Sequence, residues 1–406
     1  MKKEPHTEKR NKETGIQNET PEVYGVERGP DGIELRRRDF LALAAASAAN
    51  AAIGAGARCA WGQEKKINEL PQSGRVGVKT RKNVIPRLNL VPHSEVTSVA
   101  FSPDGALLAA SSPTKLWNGN PTNCVQKLKE SYVHNIETIA FNPSGQILVA
   151  SGEHKIAIYD PRKGKRLGIV KTSWGGCYSL VFSPDGKRLA SGELGKIRLL
   201  DPRSWKCVGV LTDQCRENIR SMSFSPNGKL LASRHRDRGE KDREILKIWD
   251  FQKEECLRTL DGFWGAALAF HPDGNMLAAS IVHWKRGTGI VLINVRTGKE
   301  KRFLKGHRGP VNSICFSPDG KLLISGGTRG RIKFWNVETG KCLMTIHWKR
   351  SENLCLSLNP DGRTLAVGDK RGDIILMDIE DPSTVWYLFS RKRFLGQLVQ
   401  ARDLDS

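Results

Sequence analysis

One short pattern occurs seven times in this chain and constrains its fold more than any other feature. Each copy has an apolar run, a turn such as Ser-Pro-Asp-Gly, and a second run such as Leu-Ala-Ser-Gly. The turn glycines are Gly105, Gly145, Gly186, Gly228, Gly274, Gly320 and Gly362, with spacings of 40, 41, 42, 46, 46 and 42 residues. A period of about 40–45 residues with only strand signals is typical of one propeller blade per repeat.

The pieces of the repeat have separate physical roles. Before the turn, apolar and small residues alternate, as in Val99-Ala100-Phe101, which predicts a strand packed between neighbouring blades. Ser, Pro and Gly suit the first, second and last positions of a type I turn. Two more strand-like runs complete each unit. We therefore predict an all-β fold, a seven-bladed β-propeller of four-stranded antiparallel blades.

The third run of several units ends in a recurring dipeptide: Tyr159-Asp160, Trp249-Asp250 and Trp335-Asn336. These endings and the period resemble the WD-repeat family over roughly residues 90–390. The resemblance implies the propeller fold and a buried hydrogen-bond network of His, Ser or Thr and Trp. The family's Gly-His pair occurs only at Gly306-His307, and the Asp of the tight turn is mostly missing, as at residues 326–330 of the sixth unit. The network is therefore not expected in most blades.

Two features concern the outer strands of the blades. Cysteines recur at the start of the fourth run, at Cys124, Cys207, Cys256 and Cys342. We interpret them as small buried residues that do not pair, because equivalent positions of different blades lie far apart. The ring could be closed by residues 85–91 or by residues 385–389, and we favour the N-terminal strand.

The N-terminal segment carries an export pattern. Arg37-Arg38-Asp39-Phe40-Leu41 resembles the twin-arginine consensus, and the Ala-rich stretch after it is too weakly apolar for a stable membrane span. Ala55-Gly56-Ala57 fits a cleavage site, with Ala55 and Ala57 as its small residues. We predict a signal peptide at 1–57, a linker at 58–82, the propeller at 83–390 and a tail at 391–406. The protein is then periplasmic or otherwise extracytoplasmic; an inactive signal would leave it cytoplasmic.

The folded part of the chain is strongly basic. Residues 1–57 contain nine basic and nine acidic residues, so the whole net charge of +22 lies in the remainder. A strongly basic folded domain attracts polyanions, but the net positive charge could equally act only to keep the protein soluble. For an exported protein we do not expect nucleic acid as a partner.

Catalytic and metal-binding patterns do not stand out. The histidines are dispersed without His-x-x-x-His spacing, and there is neither a Cys-x-x-Cys pair nor a Gly-x-Ser-x-Gly elbow. We expect no enzyme activity, no metal and no cofactor. A propeller enzyme with a site in the central channel remains an alternative, because such sites assemble from scattered loops.

A binding surface is better supported. In WD-repeat proteins, the loops from the fourth strand to the next first strand share one face with the loops from second to third strands. The aromatic and basic residues predicted there are Trp174, Arg234, Arg236, Trp264, His283, Trp284, Lys285, Arg286, Arg308, Arg329, Trp348, Lys349 and Arg350. Exposed Trp and Arg are the composition of interface hot spots. Each Trp could instead pack into its own blade.

These observations favour a monomeric scaffold that binds a protein or an acidic peptide. The first alternative is a binder of anionic polysaccharide or another polyanion. Strong weakening of binding by salt would distinguish that alternative.

Overall fold

The computed structural model describes Val23–Tyr24 and residues 95–389, with gaps at 112–113, 119–123, 129–135, 153, 174–175, 213–217, 238–242, 263–264, 284, 349–353 and 380–384. Apart from Val23–Tyr24, the predicted signal peptide, linker and C-terminal tail lie outside the described residues. The division into these segments therefore stays a prediction.

The described strands form antiparallel sheets that follow one another along the chain. Strand β1 is Val23–Tyr24. Blade 1 has β2 (Val99–Phe101), β3 (Leu107–Ser111), β4 (Thr114–Asn118) and β5 (Cys124–Lys127); blade 2 has β6 (Thr138–Phe141), β7 (Leu148–Gly152), β8 (Lys155–Asp160) and β9 (Lys165–Lys171); blade 3 has β10 (Ser179–Phe182), β11 (Leu189–Glu193), β12 (Lys196–Leu200) and β13 (Cys207–Thr212); blade 4 has β14 (Ile219–Phe224), β15 (Leu230–Asp237), β16 (Arg243–Asp250) and β17 (Glu255–Asp261).

The other three blades repeat this arrangement. Blade 5 has β18 (Leu268–Phe270), β19 (Met276–His283), β20 (Gly287–Asn294) and β21 (Glu300–His307); blade 6 has β22 (Val311–Phe316), β23 (Leu322–Gly327), β24 (Arg331–Asn336) and β25 (Cys342–Trp348); blade 7 has β26 (Cys355–Leu358), β27 (Thr364–Gly368), β28 (Ile374–Asp378) and β29 (Val385–Phe389). A 3-10 turn, Thr328–Gly330, joins β23 to β24.

The first strands of the blades surround one axis. Each contacts the first strand of the next blade, and β26 contacts β2, so the ring closes. The prediction of an all-β propeller with four-stranded antiparallel blades is confirmed. The structure departs from the prediction at one place: six sheets have four strands, and the sheet of blade 6 has a fifth. Its fifth strand is β1, which pairs antiparallel with the outer strand β25.

The preference for an N-terminal closing strand is also wrong. The outermost place in blade 7 is taken by β29, which pairs antiparallel with β28. Sequence alone offered two apolar segments of similar strand propensity. Residues 385–389, which follow β28 in the chain, form hydrogen bonds with β28 and complete the blade. Residues 85–91 lie outside the described residues.

The seven turn glycines lie between the first and second strands of their blades, with φ between 68° and 74°. Consecutive turns pack against each other. A β-carbon on Gly145 would lie 3.6 Å from Cδ of Pro103 in the preceding blade. A β-carbon on Gly186 would lie at the same distance from Cδ of Pro143. Gly320 is different, because His271 Nε2 lies 3.0 Å from its carbonyl oxygen. The turns thus form a ring of contacts on one face, called here the bottom face.

The core lies between neighbouring blades. Between blades 5 and 6, the buried side chains of Leu292, Ile314, Leu323 and Trp335 form one cluster. Similar clusters occur at the other blade boundaries, and each joins residues of adjacent sheets. A blade therefore buries its apolar faces only when its neighbours are present. Among the described residues, no helix has the length and apolar character needed to cross a membrane.

Candidate binding face

The top face is the end of the propeller opposite the turn glycines. It carries the loops between second and third strands and the loops that lead from one blade to the next. Blades 5 and 6 place the predicted residues Lys285, Arg286, Arg308 and Arg329 in such loops, and His283 is the last residue of β19. The structure therefore brings part of the predicted set together.

Two exposed arginines of blade 6 lie in loops that contact each other. Arg308 precedes β22, and Arg329 lies between β23 and β24. The Thr328 amide donates to the Pro310 carbonyl at 2.9 Å, and a β-carbon on Gly309 would clash with Thr328 Oγ1. Backbone contacts therefore hold the segments that carry the two guanidinium groups.

Arg329 has an unusual backbone conformation. Its φ of 63° and ψ of 27° lie in the left-handed region, which costs a residue with a side chain about 1–2 kcal/mol. The side chain is exposed, so packing around the guanidinium does not compensate for this cost. Such strain is often found at functional positions.

The basic loop of blade 5 is partly neutralised within the protein. Arg286 forms a two-bond ion pair with Glu300, with Nη1–Oε2 at 2.7 Å and Nη2–Oε1 at 2.6 Å. Its guanidinium also lies 4.3 Å from the ring centre of Phe303. Hydrogen bonding to Arg286 lowers the pKa of the Glu300 carboxyl. Backbone amides of Lys285 and Arg286 donate to Nδ1 of His283, so His283 shapes this loop.

The prediction that Arg234 is an exposed binding residue is wrong. Its side chain is buried, with 1% of its surface exposed, and Nε lies 3.1 Å from Glu244 Oε2. Nη2 donates to the Ser280 carbonyl of blade 5 at 3.0 Å. Burial lowers the pKa of the Arg234 guanidinium to about 10, although Glu244 opposes this shift. Arg234 therefore joins blades 4 and 5.

Trp348 is likewise a core residue and not an exposed one. It is 6% exposed and belongs to the cluster that includes Ile332 and Leu354. Its backbone pairs with Val23 of β1. The remaining predicted residues, Trp174, Trp264, Trp284, Lys349 and Arg350, lie outside the described residues, and for Arg236 only the strand backbone is described.

The buried hydrogen-bond network is present in two blades. In blade 6, His307 Nε2 lies 2.7 Å from Ser325 Oγ, to which Trp335 Nε1 donates at 2.8 Å. Burial, with help from Lys333 and Arg331, lowers the pKa of His307 to about 3. The ring is therefore neutral at ordinary pH.

Blade 4 builds the same network from a different histidine. His235 Nε2 lies 2.7 Å from Ser233 Oγ, and Trp249 Nε1 donates to that oxygen at 2.7 Å. His235 lies two residues after the serine on β15, whereas His307 comes from the outer strand of the preceding blade. Sequence reasoning missed His235 because it searched for the Gly-His pair alone. The motif Ser-x-His before a Trp-ending strand could have revealed it.

A buried carboxylate in blade 3 was also missed. Glu193 is fully buried at the end of β11. Its Oε2 accepts hydrogen bonds from the Ser173 amide at 2.9 Å and from the Ser173 hydroxyl. Its Oε1 accepts from Ser191 at 3.1 Å and lies 3.4 Å from Arg198 Nε. Glu193 thus fixes the loop that enters blade 3.

The inner strands of blades 4 to 7 line a cavity of about 380 Å³ at the bottom end of the ring. Ser223, Ala269 and Cys315 line it together with prolines of the bottom turns. Burial raises the pKa of the Cys315 thiol to about 12, so this sulfur is not a nucleophile near neutral pH. No carboxylate or imidazole is among the lining residues. The described residues contain no cluster of three potential metal ligands.

The interpretation of the recurring cysteines as buried residues is wrong at two positions. Cys207 and Cys256 are free thiols with exposed side chains. Cys207 is the first residue of β13 and Cys256 is the second residue of β17, and one side of each of these outer strands faces solvent. Cys342 is free and half-buried. The side chain of Cys124 is not among the described ones.

Comparison with known proteins identifies the repeats. The family model named WD domain, G-beta repeat, matches residues 86–118, 122–160, 164–201, 205–250 and 298–336. The chain is a WD-repeat protein. Most of blade 5 and all of blade 7 lie outside the matched segments, and their third strands end in Ile293-Asn294 and Met377-Asp378 instead of a Trp or Tyr dipeptide. Their sheets nevertheless have the same strand order.

Similar curated proteins share only part of their length with the chain. A WD repeat-containing protein 3 homolog of Dictyostelium discoideum is 32% identical over 123 residues, which is 30% of this chain and 12% of that protein. The serine-threonine kinase receptor-associated protein of Gallus gallus is 27% identical over 124 residues, 30% of this chain and 31% of that protein. The matches thus span a third or less of these two relatives.

A solved structure shows the same fold. Kuenenia stuttgartiensis hydrazine synthase has a chain with a TM-score of 0.62, which is 15% identical and aligns with 71% of this chain and 96% of its own. At this identity the likeness concerns the propeller fold alone.

Proposed function

We propose that this WD-repeat protein is a non-enzymatic scaffold that binds a protein partner through an acidic segment on its top face. The observation that carries the proposal is the pair Arg308 and Arg329, two exposed cations on loops that contact each other. No hydrogen bond or ion pair of either guanidinium is found within the part of the chain that the structure describes. The strained backbone at Arg329 supports a functional role for its position.

Two further considerations support a binding role. One similar protein is named for its association with a receptor. In addition, guanidinium groups recognise carboxylates through paired hydrogen bonds, so two of them on a rigid loop pair suit an acidic peptide. Lys285, also exposed on this face, extends the positive surface toward blade 5.

A fluorescent glutamate-rich peptide tests this proposal directly. The double variant Arg308→Ala with Arg329→Gly should weaken its binding roughly tenfold, because two charged contacts are lost. The free energy of unfolding should stay equal or rise, since glycine relieves the backbone strain at position 329. Equal affinity of the variant and the unchanged protein would refute the proposal.

The matched control removes two exposed arginines from the opposite face. Arg162 and Arg203 lie in exposed loops between third and fourth strands, so Arg162→Ala with Arg203→Ala changes the net charge by the same amount. This control should bind the peptide as the unchanged protein does. If both double variants lose affinity equally, the attraction is a property of the whole charged body.

The second candidate is a binder of anionic polymer, which the net charge of +22 favours. Dextran sulfate is the probe for this alternative. Tight binding of dextran sulfate by both double variants, with a steep loss as salt increases, would favour the polyanion over the acidic peptide.

We further propose that the protein is exported by the twin-arginine route. The support is the sequence Arg37-Arg38-Asp39-Phe40-Leu41 followed by an Ala-rich stretch, and these residues lie outside the described ones. Fractionation of tagged protein with and without Arg37→Lys and Arg38→Lys tests the proposal. Retention of only the double variant in the cytoplasm would support it, and a cytoplasmic location of both proteins would refute it.

A further inference from the structure

The outer strands of blades 2 to 4 carry an unusual number of exposed apolar side chains. Among the described residues, the large apolar side chains with the greatest exposure are Leu167, Ile169, Leu194, Val208, Val210, Leu257 and Val282. All except Leu194 and Val282 belong to β9, β13 or β17. Each of these strands is the last in its sheet, so one of its edges is not covered by another described strand.

An uncovered strand edge is a template for pairing with another strand. Blade 6 of this protein shows that such an edge can be extended. There β1 adds to β25, with Val23 opposite Trp348 and Tyr24 opposite His347. The edges of β9 and β17 have the same position in their sheets.

The charges at the two ends of β9 are opposite to those at the two ends of β17. Strand β9 is Lys165–Lys171, and its exposed residues at positions 165, 167, 169 and 171 are Lys, Leu, Ile and Lys. Strand β17 is Glu255–Asp261, and its residues at positions 255, 257, 259 and 261 are Glu, Leu, Thr and Asp, all exposed. Both strands have seven residues and a charge at each end; the centre of β9 exposes Leu167 and Ile169, whereas the centre of β17 exposes Cys256, Leu257, Arg258 and Thr259.

From this pattern we infer that β9 of one copy pairs with β17 of a second copy of the chain. In the antiparallel register, Lys165 faces Asp261 and Lys171 faces Glu255, while Ile169 faces Leu257 and Leu167 faces Thr259. Opposite charges and apolar pairs directly across two strands stabilise a sheet. A β9–β9 or β17–β17 pair would place like charges opposite each other, so the charges select the unlike pair.

The other outer strands fit this role less well. Strand β13 has exposed valines but no charged residue to select a partner, and the Glu254 carboxylate of blade 4 lies against its Gly209. Strand β21 mixes Glu300 with Lys301 and Lys305. At the top end of β9, the Lys171 carbonyl already accepts a hydrogen bond from Arg198 at 3.0 Å. At this end of β9, the contact with β17 of the second copy is therefore made by the Lys171 side chain.

The inferred contact has defined consequences for assembly. It joins two different surfaces, so each copy keeps one uncovered β9 or β17 edge and association can continue beyond the dimer. The buried area of one strand pair is small, which places the contact among weak interfaces. The inference replaces the expectation of a strictly monomeric propeller, and it concerns a surface separate from the proposed binding face.

Charge exchange between the two strands is the decisive experiment. Variant one carries Lys165→Glu and Lys171→Glu, and variant two carries Glu255→Lys and Asp261→Lys. Sedimentation velocity of the full chain at low salt follows association up to roughly 1 mM, where contacts of this size are populated. The unchanged protein should associate, and each variant alone should associate at least roughly tenfold more weakly because its edges repel.

An equal mixture of the two variants should regain association, because the acidic β9 of one then faces the basic β17 of the other. The control variant Lys187→Glu with Lys229→Glu changes two exposed lysines of the bottom turns and should associate as the unchanged protein does. The single change Ile169→Lys tests the apolar contact with Leu257 and should also weaken association. Circular dichroism establishes that each variant is folded.

Three results would overturn the inference. The unchanged protein could remain monomeric at every concentration. The two charge variants could associate as strongly as the unchanged protein, which would assign association to another surface. The mixture could fail to restore association, or the control could lose it equally, and either result would exclude pairing between these two strands.

Discussion

Replacing Glu244 by alanine should lower the free energy of unfolding by about 3–5 kcal/mol. The carboxylate lies 3.1 Å from Nε of Arg234, which is 1% exposed. It also accepts the Gly265 amide at 2.7 Å. Without Glu244, the buried guanidinium between blades 4 and 5 loses the carboxylate that lies 3.1 Å from its Nε. Most of the loss comes from removing this ion pair at a buried guanidinium.

The exposed ion pair of blade 5 is the matched control. Arg286 and Glu300 approach more closely, at 2.6 Å, but their side chains are 39% and 38% exposed. Solvent screens such a pair, so Glu300→Ala should cost only about 0–1 kcal/mol. Urea unfolding at pH 7, followed by tryptophan fluorescence, measures both variants. Equal losses, or less than about 1 kcal/mol for Glu244→Ala, would refute the assignment of Arg234 as a buried charge.

Two further changes at this pair separate charge from hydrogen bonding. Glu244→Gln keeps an oxygen for the Gly265 amide but removes the negative charge, so an intermediate loss of about 1–3 kcal/mol is expected. The double change Arg234→Met with Glu244→Leu removes both charges. It should be more stable than Glu244→Ala, because well-packed apolar residues often replace a buried ion pair at little cost.

Three other predictions concern protonation, backbone conformation and thiol exposure. The pKa of His307 in the folded protein, about 3, lies below its value in the unfolded chain. The free energy of unfolding therefore falls as the pH drops below about 6.5, by about 2 kcal/mol at pH 5. Urea unfolding at pH 7 and pH 5 should show a smaller loss for His307→Gln than for the unchanged protein. Gly320→Ala should lower the free energy of unfolding in urea by about 2–4 kcal/mol, and Gly287→Ala should lower it by about 1 kcal/mol. Both glycines have a positive φ, but of the two only position 320 lacks room for a β-carbon. Brief labelling of the native protein with a thiol reagent, read by peptide mass spectrometry, should modify Cys207 and Cys256 before the buried Cys177. Equal rates would contradict their assigned exposure.

The candidate site was predictable only in part. Positions in the repeat placed Arg308 and Arg329 in loops of one face, since loop position follows from strand order. The same reasoning placed Arg234 and Trp348 there and was wrong for both. Strand β15 extends to Asp237 and strand β25 to Trp348, so these residues lie within strands that pack against the adjacent blade or its loop.

The sequence by itself determined the all-β class, the repeat boundaries and the turn positions. These are local properties, because strand periodicity and turn chemistry depend on residues that are near one another in the chain. Only the tertiary structure decided that β29 and not residues 85–91 completes blade 7, and that His235 substitutes for the histidine of a Gly-His pair. It also decided that Arg234 is buried against Ser280, 46 residues away. Such contacts depend on how one blade packs against the next, which the spacing of residues within a repeat does not encode.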